Sequence, residues 1–147
     1  MSSLYNIFGY SRNRTPVLVV ECIGGNEESL EDAARLRHNL LANDLIPGAP
    51  YFLLAFGMRL FLWLEGAPAD QLPDFSASAR SVLQNYLRKD ADGVNRDILD
   101  LLVVSWLDEL AIAIRQPDPN SAADRMLLES GLYEKIRFGR VRLEDWS

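Results

Sequence analysis

The chain has 147 residues, a formal net charge of -6 and a pI near 4.7. This length suits one hydrophobic core, so we expect residues 1–147 to form a single domain. The acidic charge argues against a broad phosphate-binding surface, because nucleic-acid affinity depends on many Lys and Arg contacts. We therefore do not expect a nucleic acid as the partner.

Cysteine content and hydropathy bear on the compartment. Cys22 is the only cysteine and has no intramolecular disulfide partner, which favours the cytoplasm. The longest apolar stretch, residues 51–64, contains Gly57 and Arg59 and is shorter than the roughly 20 residues of a membrane helix. We expect no membrane insertion, and the N-terminus has no pattern of a secretory signal.

The first part of the chain predicts a β-hairpin followed by a helix. Residues 4–10 (LYNIFGY) and 17–21 (VLVVE) are rich in β-forming side chains and are separated by a polar turn. After a glycine pair, Asn26 is the predicted N-cap of a helix that begins with acidic residues and ends near Asn43. Residues 1–64 are predicted to form a ββαββ core, in which a second hairpin turns at Gly57 as a type II′ turn.

Residues 65–147 are predicted to be mainly helical. The expected elements are helices at 77–89, 96–116 and 122–130 and an edge strand at 139–146. The central helix has a wide apolar stripe that predicts its burial against the sheet. This stripe contains Ile98, Leu101, Leu102, Val104, Leu107, Leu110, Ala111 and Ile114. The predicted fold is α/β, with a mixed sheet of four to five strands, one crossing helix and a helical C-terminal half.

Five segments, in this order, resemble blocks of small bacterial proteins of the PD-(D/E)XK nuclease superfamily. They are TPVLVVEC, RLRHNLLAN, APYFLLAFGMRLFLWLEG, ILDLLVVSWLDEL and LLESGLYEKIRFGRV. The resemblance implies a restriction-endonuclease-like core. It also implies a site in which an Asp on one strand joins a Glu that stands two residues before a Lys on the next strand.

The resemblance places Glu21 at the glutamate position, Ile23 at the lysine position and Asn6 near the first acid. Residues i and i+2 of a strand share a face, so in such enzymes the Glu holds a divalent metal beside the Lys that activates water. Isoleucine has no group that could activate water, and asparagine offers a neutral oxygen where Mg²⁺ prefers a carboxylate. We therefore expect a degenerate site without catalytic residues, cofactor or metal, in which Glu21 is the one candidate ligand.

The resemblance leaves a second hypothesis open. Some nucleases of this fold supply the missing groups from the following helix, where Glu28, Glu31 and Arg35 could join Glu21 in a Mg²⁺-dependent nuclease. The simpler interpretation of this helix is a favourable arrangement of charges along its dipole.

The basic segment near the end of the chain allows two interpretations as well. Lys135, Arg137, Arg140 and Arg142 alternate with apolar and aromatic side chains. They could form a nucleic-acid strip, but we favour cations that protect an exposed edge strand.

The expected function is that of a non-catalytic pseudo-nuclease. Such a protein would serve as an interaction or assembly subunit, with a protein partner or further copies of itself. A Mg²⁺-dependent nuclease is the alternative, and a regulator that binds a small ligand is a third hypothesis without a motif to support it.

Overall fold

A computed structural model of the chain describes residues 5–24, 29–83 and 96–145. The chain forms an α/β fold around a mixed sheet. Its elements, in chain order, are β1 (Tyr5–Tyr10), β2 (Pro16–Ile23), α1 (Leu30–Ala42), β3 (Tyr51–Phe56), β4 (Arg59–Trp63), β5 (Phe75–Ser78), α2 (Arg80–Leu83), α3 (Arg96–Ala111), α4 (Ala122–Glu129), α5 (Leu132–Ile136) and β6 (Arg140–Asp145).

The sheet has six strands in the described part of the chain, in the order β5-β4-β3-β2-β1-β6. Only β2 and β3 are parallel neighbours, and α1 connects them in the chain, as a parallel pair requires a long connection. The expected number of four to five strands was too small. β6 is the edge strand that was predicted at 139–146, so the additional strand is β5, which overlaps the start of the helix predicted at 77–89.

The β5 segment corrects the start of the predicted helix at 77–89, whereas α2 (Arg80–Leu83) lies within the predicted range. Phe75 pairs with Leu62 and Ser78 pairs with Arg59, so the chain is still extended where the helix was expected to begin. The sequence FSAS suits either state, and the open edge of β4 selects the strand because it offers unpaired backbone groups. Residues 84–89 of the predicted helix lie outside the described residues.

Two hairpins and one edge strand agree with the sequence patterns. β1 with β2 and β3 with β4 are antiparallel, and β6 lies at the sheet edge beside β1. Gly57 has a φ of 59°, whereas Met58 is not among the described non-glycine residues with positive φ. A type I′ turn would need positive φ at both positions, so the pattern fits the predicted type II′ turn.

The ends of two helices differ from the predictions. α1 begins at Leu30, and its N-cap is Ser29, whose hydroxyl accepts the N–H of Asp32. The predicted N-cap, Asn26, was wrong and lies outside the described residues. α3 ends at Ala111 instead of residue 116, and the chain turns through Ala113, whose φ is 64°.

The predicted apolar stripe of α3 is only partly buried. Leu107 and Leu110 are fully buried, but Leu101 is 64% exposed and Ile114 is 70% exposed. Ile114 lies beyond the helix end, and Ile98 and Leu101 lie on the side away from the sheet. A stripe this wide therefore covers more of the helix circumference than one sheet face can bury.

Both faces of the sheet are covered. One face carries Leu18, Val20 and Leu53 against α3, α4 and α5, and Cys22 is a buried member of this cluster. The other face carries a second cluster, which includes residues of α1 and of the loop between α1 and β3. Its buried members are Val19, Ala33, Leu40, Ile46, Phe52, Leu54, Phe61 and Trp63. Burial on both faces explains the nearly continuous apolar sequence of the central parallel strands.

None of the helices in the described ranges is long and apolar enough to cross a membrane.

Candidate functional site

The antiparallel register of β1 and β2 brings together the two strand residues that the resemblance singled out. Ile7 pairs with Val20, so the next position on each strand places Asn6 opposite Glu21. Glu21 is two residues after Val19 and therefore lies on the α1 face of the sheet. Both side chains are buried, with 3% of Asn6 and 5% of Glu21 exposed.

The amide of Asn6 is oriented by two acceptors. Its Nδ2 donates to the Val20 carbonyl oxygen at 2.9 Å and to Glu21 Oε2 at 2.8 Å. A carbonyl oxygen can only accept, so the amide must turn its NH₂ group toward Val20, and the same group then meets the carboxylate. The position beside Glu21 thus holds N–H donors and not oxygen lone pairs.

Ile23 stands at the lysine position of the resembled motif, and its side chain has no polar group. Its side chain is partly buried against the second core cluster together with Leu36 and Phe56. Its carbonyl oxygen accepts the N–H of Gly57 at 2.9 Å. The lysine position of the resembled motif is therefore part of an apolar contact.

The residues of the relocated site do not join Glu21. Arg35 forms an ion pair with Asp32 at 2.9 Å, and its side chain is 70% exposed. Glu31 and Arg35 line a groove of about 450 Å³ beside α1. Neither makes a hydrogen bond or an ion pair with Glu21 within the described ranges, and Glu28 lies outside them.

These side chains do not fit a divalent metal. Mg²⁺ needs oxygen ligands, commonly two carboxylates, and the neighbour of Glu21 on β1 is an amide N–H donor. In the part of the chain that the structure describes, no group of three or more His, Cys, Asp or Glu side chains could hold a metal ion.

One carboxylate near the pair was not predicted. Glu144 on β6 lies opposite Asn6 across β1, on the side away from Glu21. Burial raises the pKa of the Tyr10 phenol, and the nearby Glu144 carboxylate raises this pKa further. No sequence pattern indicated this position, because it depends on the pairing of β1 with β6.

Beside Glu144 the structure forms a groove of about 790 Å³ that sequence reasoning also missed. We call it the arginine groove. It lies where the end of β1, the β1–β2 turn and the start of β6 meet. Its lining includes Tyr10, Arg12, Arg14, Phe138, Arg140 and Arg142. The residues of the turn were interpreted only as a turn, and the arginines of β6 were interpreted as edge protection in preference to a nucleic-acid strip.

The arginines of the groove differ in their partners. Arg140 reaches both carboxylate oxygens of Asp108 at 3.2 Å, and this contact raises the pKa of its guanidinium. Asp108 also accepts the N–H of Val141 at 2.8 Å. Arg12, Arg14 and Arg142 form no ion pair within the described residues, so their guanidinium groups are available to a ligand.

A buried polar cluster on the other side of the sheet has a structural role. The Asp124 carboxylate accepts the indole N–H of Trp106 at 2.7 Å and the N–H of Asp118 at 2.8 Å. Arg115 lies 3.3 Å from the same carboxylate. Since Asp124 is completely buried and fully bonded, it ties α4 to α3 and is not offered to a ligand.

Comparison with known proteins suggests no role for any of these sites. No protein-family model matches the chain, and no curated protein or solved structure matches it.

Proposed function

We propose that the chain is a degenerate member of the PD-(D/E)XK nuclease fold that acts without catalysis, as an interaction or assembly subunit of a larger complex. In this proposal β1, β2, α1 and β3 are the restriction-endonuclease-like core, and α1 is its crossing helix. The order of these elements and the position of Glu21 near the end of β2 support the assignment. The lone cysteine is compatible with the cytoplasm as the proposed compartment.

One observation carries the proposal. The Asn6 amide donates to Val20 and Glu21, at the position where a nuclease would direct a second carboxylate at the metal. An N–H donor cannot ligate a cation, and it already occupies one oxygen of the Glu21 carboxylate. With Ile23 at the lysine position, the pair is better suited to joining two strands than to activating water.

The exposed apolar residues support an interaction role. Leu101 is 64% exposed, Ile114 is 70% exposed and Phe138 is 53% exposed. β6 is an edge strand among the described strands, and an edge offers unpaired backbone groups to another chain. Exposed apolar side chains and an open strand edge are both features of protein interfaces.

The catalytic part of the proposal is tested by nucleic-acid cleavage. Labelled single- and double-stranded DNA and RNA are incubated with Mg²⁺ or Mn²⁺ and either the wild type or Glu21→Gln. Glutamine keeps the shape and one accepting oxygen, so the variant should fold. We expect no cleavage by either protein.

Cleavage by the wild type that Glu21→Gln abolishes would contradict the proposal. It would favour the Mg²⁺-dependent nuclease, in which Glu21 acts with Glu28, Glu31 and Arg35. The carboxylate of Glu144, opposite Asn6, is the observation that favours this alternative, and it would become a further candidate ligand.

The assembly role is tested by measuring the oligomeric state and the bound proteins of the chain in its own cells. The tagged chain is expressed at its natural level, cross-linked, and recovered for native mass spectrometry. We expect a complex of fixed stoichiometry, with another protein or with further copies. A chain that stays monomeric and recovers no partner at fixed stoichiometry would contradict the assembly role.

A further inference from the structure

The arginine groove concentrates positive charge on an acidic protein. Four arginines and one glutamate line it, which gives a formal charge of +3. The whole chain has a formal charge of -6. We propose that this groove binds the phosphate group of a nucleotide, either a free nucleotide or the 5′ end of a nucleic-acid strand. Glu144 of the groove lining pairs with Asn6, but the proposal does not depend on the function proposed for the Asn6–Glu21 pair.

The guanidinium groups come from two sides of the groove. Arg12 and Arg14 are on the β1–β2 turn, whereas Arg142 is on β6, which pairs with β1. Planar guanidinium groups bind phosphate oxygens through pairs of N–H donors. None of the three forms an ion pair within the described residues, so a phosphate would not have to displace a carboxylate from them.

Two residues of the groove are held in an uncommon backbone conformation. Arg14 and Phe138 both have a φ of 66°, and they are two of the four described non-glycine residues with positive φ. Arg14 donates its N–H to Ser11 at 2.9 Å, and Phe138 donates its N–H to Ala111 at 2.7 Å. Positive φ is unfavourable for such side chains and is more frequent at functional sites, and these two backbone hydrogen bonds hold both turns in that conformation.

The groove also offers aromatic surface beside the cations. The Tyr10 ring is half-buried in the groove wall, and the Phe138 ring is 53% exposed. The Arg137 guanidinium lies 4.8 Å from the Phe138 ring centre, which adds a further cation next to the groove. A ligand that carries a planar base next to a phosphate fits this combination of rings and guanidinium groups.

Size and charge favour a ligand with few phosphates. The groove volume of about 790 Å³ is within the range of small-molecule sites. The surplus of acidic residues elsewhere on the chain would repel a long run of phosphates. The shared chemistry is therefore a terminal phosphate beside a base, and the two sources are separated by experiment.

Isothermal titration calorimetry of the full chain tests the proposal. The probes are ATP, AMP, inorganic phosphate and adenosine in the presence of EDTA, together with a short oligonucleotide that carries either a 5′ phosphate or a 5′ hydroxyl. We expect saturable binding of the phosphorylated nucleotides, weaker binding of phosphate alone and none of adenosine. Binding should weaken as salt increases.

Arginine variants distinguish binding in the groove from nonspecific attraction to arginines elsewhere on the surface. Arg12→Ala and Arg142→Ala should each weaken binding by about tenfold or more, since each removes a charged donor pair. Arg142→Lys should lose less, because it keeps the charge without the planar fork. The matched control is Arg125→Ala, an exposed arginine on α4, which should leave the affinity within about twofold of the wild type.

The probes distinguish the two sources of the phosphate. Preference for ATP and AMP supports a free nucleotide, and preference for the 5′-phosphorylated strand over the 5′-hydroxyl strand supports a strand end. Absence of saturable binding to every phosphorylated probe would overturn the proposal. So would equal binding of adenosine and AMP, an equal effect of Arg125→Ala and Arg142→Ala, or no effect of Arg142→Ala.

Discussion

Asn6→Asp tests the role of the amide most directly. The substitution keeps the shape of the side chain but replaces the NH₂ group that lies 2.8 Å from Glu21 Oε2 by an oxygen. It therefore sets two buried carboxylates against each other and also removes the donor to the Val20 carbonyl oxygen, which the amide meets at 2.9 Å. Uptake of one proton would restore only one of the two donors.

The magnitude follows from these contacts. Two unit charges 4 Å apart repel by about 4 kcal/mol at an effective dielectric constant of about 20. A buried carbonyl that loses its donor adds about 1 to 3 kcal/mol. Relaxation of the side chains reduces the sum, so we expect Asn6→Asp to lower the free energy of unfolding by about 4 kcal/mol. For a domain of this size, this corresponds to a fall in Tm of about 8 to 16 °C.

Thermal unfolding followed by circular dichroism is the assay, with EDTA or with Mg²⁺ or Mn²⁺. A cation between the two carboxylates would relieve their repulsion, so metal should raise the Tm of Asn6→Asp and leave that of the wild type unchanged. The control is Asn120→Asp in an exposed loop, which should change stability by no more than about 0.5 kcal/mol. An Asn6→Asp protein that unfolds at the wild-type temperature in EDTA would refute the reasoning.

Three further predictions concern stability and ionisation. Gly139→Ala should destabilise by about 2 kcal/mol in urea unfolding, because its Cβ would overlap the Tyr10 carbonyl oxygen, whereas Gly48→Ala, which has open space, should be neutral or slightly stabilising. Asp124→Ala should lower the free energy of unfolding by about 3 to 5 kcal/mol, because buried donors lose their acceptor, and a loss below about 1 kcal/mol in urea unfolding would contradict this role. Burial and Glu144 raise the pKa of Tyr10, so its contribution to stability is complete below about pH 10 and is lost as the pH rises through the raised value. Phenolate absorbance should show a lower pKa of Tyr10 in Glu144→Gln, and an unchanged titration would exclude this influence of Glu144.

The parts of the fold that follow from local chemistry were predictable from the sequence. The hairpin of β3 and β4 was predictable because Gly57 supplies the positive φ that its turn requires, and apolar runs flank it. β5 was not, because its sequence has little β preference and becomes a strand only against the open edge of β4. The end of α3 was misjudged because apolar residues continue at helical spacing beyond Ala111, where the chain already turns.

The candidate sites were also predictable only in part. The resemblance assigned Asn6 and Glu21 to one site, and the antiparallel pairing of β1 with β2 brings them together. The direction of the Asn6 amide was not predictable, because it depends on a backbone acceptor, the Val20 carbonyl. The arginine groove was not predictable either, since Arg12 and Arg142 meet only through the pairing of strands that are far apart in sequence.

The pairing of β1 with β6 has a consequence for folding. β1 forms its hairpin with β2 from nearby residues, but its other edge stays open until the chain has been synthesised through Asp145, which pairs with Tyr5. Such distant pairing is slow, and an open strand edge in the meantime favours aggregation. Because the arginine groove needs both strands, a ligand bound there would stabilise only the completed sheet. Bound ligand would therefore shift the folding equilibrium toward the sheet in which β6 is paired with β1.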